Sequence, residues 1–173
     1  MIYYITGGER SGKSSYAQEL ALKLTQKPYY LATARVWDGD FEERVKRHIS
    51  ERDERWTTLE EEKEISKVDI QTKVVILDCI TLWLTNWYMD SDYDVEHCLE
   101  NCKCELEALW SQPDSTLIII SNEIGMGGIG ANKMTRKFTE LQGWINQYIA
   151  QKSDHATLMV SGLPLKLKGD FEI

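Results

Sequence analysis

At 173 residues, 42% of them hydrophobic, the chain is long enough to bury one sizeable core and short for two, so the expectation is a single domain over 1–173. A formal net charge of −8 argues against a nucleic-acid or anionic-membrane partner, because either favours a basic surface; an anionic ligand must instead meet a local cluster of cations and amides. No apolar run reaches membrane-spanning length, no basic leader precedes the first strand, and three of the four cysteines crowd together (Cys98, Cys102, Cys104) in no secreted disulfide pattern, which points to a cytoplasmic protein with reduced thiols.

The first apolar run, 2–5, leads into Gly7-Gly8-Glu9-Arg10-Ser11-Gly12-Lys13-Ser14, a complete G-x-x-x-x-G-K-[ST] phosphate loop, and then into an amphipathic helix over 14–24. Glycines let backbone N–H groups curl around phosphate oxygens, Lys13 adds a point charge near the β- and γ-phosphates, and the Ser14 hydroxyl can ligate Mg²⁺. The positive end of the helix dipole faces the same anion. Further apolar runs follow at 29–31, 74–77, 117–120 and 157–160. They are too continuous for half-exposed strands, and with helix-length segments between them they predict a parallel sheet covered on both faces. Helices are expected over 40–55, 90–111 and 132–152, and long loops over 34–40 and 124–131. Each run ends in small or polar residues: Thr6-Gly7, Ala32-Thr33, Asp78, Asn122-Glu123 and Ser161-Gly162. In such sheets ligands bind outside the carboxyl ends of the strands, so these residues should line one crevice.

Asp78, at the end of an apolar strand, fits a Walker B position, a hard oxygen ligand for Mg²⁺ beside the phosphate loop; its plainer role is a helix N-cap. On a helical 40–55, Arg44, His48 and Arg52 share a face. Two guanidiniums beside an imidazole keep it neutral and nucleophilic while attracting phosphates, which suits covalent capture of a phosphoryl or nucleotidyl group. A histidine on a charged surface helix is also commonly just solvated. Asn122-Glu123 feeds a glycine loop (Gly125, Gly127, Gly128) able to close over a bulky ligand, or forming an ordinary strand-to-helix connection. His97 and the cysteine cluster lack zinc-ligand spacing, with only Cys98 and Cys102 sharing a helical face; His155 reads as a turn residue, and Trp56 stays open as a base-stacking platform.

Together these segments resemble the bifunctional adenosylcobinamide kinase/adenosylcobinamide-phosphate guanylyltransferase family nearly end to end. The phosphate loop is widely shared; Asp78-Cys79-Ile80-Thr81-Leu82-Trp83 and Asn122-Glu123-Ile124-Gly125-Met126-Gly127 are far more specific, joined by Asn146-Gln147 and Val160-Ser161-Gly162-Leu163-Pro164. The chain departs from the family at Gly128-Ile129-Gly130-Ala131-Asn132, where a Val-Pro pair is frequent, and at Arg52-Asp53, where Arg-Pro is. The resemblance implies a RecA-like P-loop fold and two reactions. ATP or GTP phosphorylates adenosylcobinamide; then His48 takes GMP from GTP and passes it to the substrate phosphate. Nucleotide contacts are implied for Gly7 to Ser14, Ala32, Thr33, Ala34, Ile49, Ser50, Glu51, Arg52, Glu60 and Asp78, with Lys13 and His48 catalytic and Ser14 and Asp78 holding Mg²⁺. A homo-oligomer, a trimer by resemblance, is implied too, with apolar residues around Trp83 and Tyr88 as a candidate interface. A P-loop kinase of another small metabolite and a GTP-gated binding protein are the competing readings.

Overall fold

The computed structural model describes residues 1–35, 52–128 and 130–170. Seven strands form one sheet: β1 (Ile2–Gly7), β2 (Tyr29–Ala32), β3 (Thr57–Glu60), β4 (Val74–Asp78), β5 (Thr116–Asn122), β6 (His155–Val160) and β7 (Leu163–Lys168), in spatial order β3-β2-β4-β5-β1-β6-β7. The first six run parallel and β7 turns back antiparallel on β6. The helices are α1 (Lys13–Leu24), α2 (Ile80–Asp90), α3 (Val95–Trp110) and α4 (Lys133–Lys152). This is the P-loop, RecA-like α/β architecture expected, with β5 interposed between the phosphate-loop strand and the strand ending in Asp78.

The continuous apolar runs fold as strands because both of their faces are covered. In β5, Leu117 and Ile119 pack with Val75, Leu77 and Tyr4 against α2, α3 and α4, while Ile118 and Ile120 pack with Ile76, Tyr3 and Ile5 against Ala17, Leu20 and Ala21 of α1. A two-residue period thus feeds two cores from one strand.

Four expectations change. The segment 90–111 is not one helix: α2 ends at Asp90, a turn with positive φ at Asp92 (50°) and Tyr93 (64°) intervenes, and Asp94 caps α3 by accepting from His97 N at 3.0 Å. α2 itself escaped the sequence reading because it is apolar nearly all round, the mark of a buried helix. Trp83 and Leu84 are fully buried and Tyr88 is 5% exposed, so these three do not form the exposed interface expected around them. Arg52–Arg55 are not helical, being a bend and a turn closed by Trp56 N donating to Asp53 O at 3.2 Å. His155 opens β6 rather than sitting in a turn, and stacks on Tyr3 with ring centroids 4.7 Å apart. The edge strands β3 and β7 were also unforeseen: β3 is largely exposed, with only Leu59 packing against the core, and β7 is exposed throughout.

Candidate nucleotide-binding site

The phosphate loop spans the end of β1 and the start of α1, braced from two sides. A Cβ on Gly7 would lie 2.5 Å from Met159 O and 2.7 Å from Ser11 Oγ, so β6 presses directly on the loop backbone. Gly12 caps α1 with φ +94°, a conformation that favours glycine, and Gly162 of the β6–β7 turn donates its N–H to Ser11 O at 3.0 Å. From the other side Glu123 N donates to Gly7 O at 3.0 Å. No side chain caps α1 and its first turn has no acidic residue, so its leading N–H groups remain available to an anion.

Lys13 is buried to 7% exposure, donating to Gly8 O at 2.6 Å and Ser11 Oγ at 3.4 Å. Burial lowers its proton affinity below the ordinary lysine value, while Cys79, Asp78 and Glu9 pull it partly back. An ammonium held by two weak acceptors and short of solvent is poised for a phosphate oxygen. Ser14 stands half-buried on the first turn of α1.

The ends of β2, β3 and β4 are tied together beside this loop. Ala32 pairs in register with both Glu60 and Asp78, Glu61 N donates to Ala32 O at 3.1 Å, and Thr33 N donates to Asp78 O at 3.1 Å. The Thr33 hydroxyl donates to Cys79 O at 2.9 Å, and Asn86 Nδ2 holds Thr33 O and Glu62 O, each at 2.9 Å. Thr33 is therefore fully buried behind the strand ends, with its N–H, carbonyl and hydroxyl all committed inside the fold. Glu60 is exposed at the rim. Next to it Arg35 is gripped by Glu62 at 2.6 Å and by Asp90 at 2.9 and 3.0 Å.

The β5 end is fixed by a buried network. Ser121 Oγ donates to Asn146 Oδ1 at 2.6 Å, Gln142 Nε2 donates to Ser121 Oγ (2.8 Å) and Asn146 Oδ1 (3.0 Å), and Asn146 Nδ2 donates to Asn122 O at 3.1 Å. Asn122 in turn donates to Thr81 Oγ1 from N (3.2 Å) and Nδ2 (3.1 Å), and Glu123 accepts from Gly125 N at 2.8 Å.

One residue that the sequence did not single out, Tyr30, sits on Asp78. The Tyr30 hydroxyl donates to Asp78 Oδ2, and the Arg52 guanidinium carbon lies 3.8 Å above the Tyr30 ring, with Trp56 edge-on at 6.2 Å. Burial first, then the Asp78 charge and hydrogen bond, push the Tyr30 phenol well above its ordinary value, so it stays a donor. Parity was the available signal: Tyr30 pairs with Ile76, which shares its face of β4 with Asp78, and a tyrosine ring is long enough to span that diagonal. Trp56 thus packs against Tyr30 and the α1-side core.

The donor set fits Mg²⁺: a hydroxyl, Ser14, and a carboxylate, Asp78, both hard oxygens, with the remaining positions left to phosphate and water as this ion prefers. Among the described residues no three His, Cys, Asp or Glu side chains gather as a metal-binding cluster. Cys98 and Cys102 are buried in the α2–α4 core, where burial pushes both thiols up, and Cys104 is exposed. His48 and its neighbours Arg44, Ile49, Ser50 and Glu51 lie outside the described residues.

Comparison with known proteins gives a consistent picture. The model of the cobinamide kinase / cobinamide phosphate guanyltransferase family matches residues 3–167. The bifunctional adenosylcobalamin biosynthesis protein CobP of Pseudomonas aeruginosa is 35% identical over 96% of this chain and 96% of its own length. The bifunctional adenosylcobalamin biosynthesis protein CobU of Escherichia coli is 29% identical over 97% of this chain and its whole length. Among solved structures, the flagellar accessory protein FlaH of Methanocaldococcus jannaschii superposes with TM-score 0.49 at 15% identity, covering 98% of this chain and 78% of that one.

Proposed function

The chain belongs to the cobinamide kinase / cobinamide phosphate guanyltransferase family, enzymes of adenosylcobalamin biosynthesis, and from that premise we propose how its residues divide the two reactions. The observation that supports the reading is the convergence of the phosphate loop, buried Lys13 and Asp78 at the carboxyl ends of β1 and β4, parallel strands separated only by β5. Adenosylcobinamide is the acceptor; ATP or GTP is the phosphoryl donor, and GTP the nucleotidyl donor.

In the kinase step, Gly7, Gly8, Glu9, Arg10, Ser11 and Gly12 wrap the triphosphate. Lys13 neutralises charge growing on the β–γ bridging oxygen as the substrate hydroxyl attacks the γ-phosphorus, releasing the diphosphate and a proton. In the second step an imidazole nitrogen of His48 attacks the α-phosphorus of GTP and pyrophosphate leaves; a phosphate oxygen of the substrate then attacks the same phosphorus and the imidazole leaves, giving adenosylcobinamide-GDP. Ser14 and Asp78 hold Mg²⁺, which supplies charge neutralisation on the phosphates. Ala32 and Ala34 line one wall, with Thr33 buried behind them and fixing its shape; Ile49, Ser50, Glu51 and Arg52 follow the nucleophile, and Glu60 offers a carboxylate to the guanine N1–H and N2–H donors. The enzyme works in the cytoplasm as a homo-oligomer, a trimer by family likeness; the apolar side chains exposed on β7 (Leu163, Leu165 and Leu167) are compatible with self-association.

Incubation with Mg²⁺ and GTP labelled at the α- or the γ-phosphate, followed by denaturation and peptide mapping, tests this division. Acid-labile label from the α-phosphate alone, on the peptide carrying His48 and absent from His48→Ala, is expected. GTP binding without any protein-bound α-label would refute the covalent role of His48.

A further inference from the structure

We infer that Tyr30 is a positioning residue that sets both the Asp78 carboxylate and the Arg52 guanidinium for an incoming nucleotide. Three observations meet on this side chain. Its hydroxyl donates to Asp78 Oδ2, committing one of the two carboxylate oxygens and fixing the plane of the group. Its ring carries the Arg52 guanidinium at 3.8 Å, a cation–π stack that fixes the plane of the fork. The Arg52 Nε and Nη1 atoms are buried and have no hydrogen-bond partner among the described residues. Buried donors of a guanidinium are costly to leave unmade, so a stack that holds them beside Asp78 prepares them for an acceptor that arrives later. An anion with several oxygens beside a metal, a nucleoside polyphosphate, satisfies both requirements at once.

The ring is itself well seated for this task. Tyr30 is 4% exposed, packed in the core beneath α1 and edge-on to Trp56, and β2 is hydrogen-bonded to β4 on one side and β3 on the other. A phenol on a strand paired on both sides moves little, so it transmits a fixed geometry to both of its partners.

This inference rests on the reading of Asp78 as a metal ligand, and the experiment separates the two. Mn²⁺ affinity is measured by electron paramagnetic resonance in the presence of GTP, and metal-free GTP affinity by equilibrium dialysis, on the intact chain and on Tyr30→Phe, Tyr30→Leu, Arg52→Ala and Asp78→Asn. Tyr30→Phe keeps the stack and loses the hydroxyl: Mn²⁺ binding should weaken about tenfold, the usual scale for a lost partner of a metal ligand, with metal-free GTP affinity unchanged. Arg52→Ala should do the reverse. Tyr30→Leu should show both losses; if it fails to fold, the two preceding variants still decide. Mn²⁺ binding that is unchanged or tighter in Tyr30→Phe, while Asp78→Asn weakens it, overturns the role of Tyr30. An unchanged Mn²⁺ affinity in Asp78→Asn instead overturns the metal reading of Asp78.

Discussion

Lys13 illustrates how a functional residue sits at odds with stability. Its ammonium is buried against two acceptors, and burial lowers its proton affinity from the ordinary 10.5. The unfolded chain therefore binds this proton more tightly than the folded one, and ν_U exceeds ν_N. Stability rises with pH in that window: the penalty is fully present below the folded value and vanishes as pH rises towards 10.5. Lys13→Met should accordingly give a nucleotide-free protein that melts no lower than the parent at pH 7, the difference shrinking as the pH is raised. The same variant should bind GTP about 30-fold or more weakly, since it removes one partner of a buried charge pair. Thermal melts across pH and a GTP titration check both halves, and a large loss of apo stability at neutral pH would contradict the account.

At the scale of elements, α3 and α4 are joined by a polar clasp at the surface of an apolar seam. Glu107 of α3 accepts from the Tyr148 hydroxyl, from Lys152 Nζ at 3.0 Å and from Trp110 Nε1 at 3.1 Å. Tyr148 first, then Lys152 and Trp110, bring the Glu107 carboxyl from its ordinary 4.5 down to about 2. A depressed carboxyl contributes stability above the unfolded value and loses it as pH falls through the folded one. Glu107→Gln should thus melt below the parent at pH 7, with the gap closing between about pH 4.5 and pH 2; a gap independent of pH would mean the clasp acts by packing alone. Elements were legible where one physical signal dominated. The five buried strands announced themselves as continuous apolar runs, and α1 and α4 by their helical period. α2 did not, because a helix with apolar residues on nearly every side has no polar face to mark its period, and β3 did not, because an edge strand is held by backbone pairing to β2 rather than by burial. The same holds for the site: Lys13, Ser14 and Asp78 follow from motif and strand end, whereas the grip of Tyr30 on Asp78 depends on register between two strands far apart in sequence.

At the scale of the whole molecule, one sheet feeds both cores from the same strands, and this makes the phosphate loop, Asp78 and the β6–β7 turn parts of one mechanical unit. β1 ends in the phosphate loop and pairs with β5 and β6; the loop in turn receives hydrogen bonds from Glu123 beyond β5 and from Gly162 beyond β6. A ligand seated there is coupled to both cores through the ends of their common strands, so opening β1, β5 or β6 disturbs the site. We propose that residues 1–173 unfold as a single domain, and calorimetry should record one transition whose calorimetric and van't Hoff enthalpies agree. Mg²⁺ and GTP at about 100 times the dissociation constant add about 2.7 kcal/mol by mass action, which for a chain of this length raises the midpoint by about 5–11 °C. The whole transition should move. If the trace splits on ligand addition, with one component shifted and another left in place, the sheet contains two independently melting parts and the coupling through β1 is weaker than its hydrogen bonds imply.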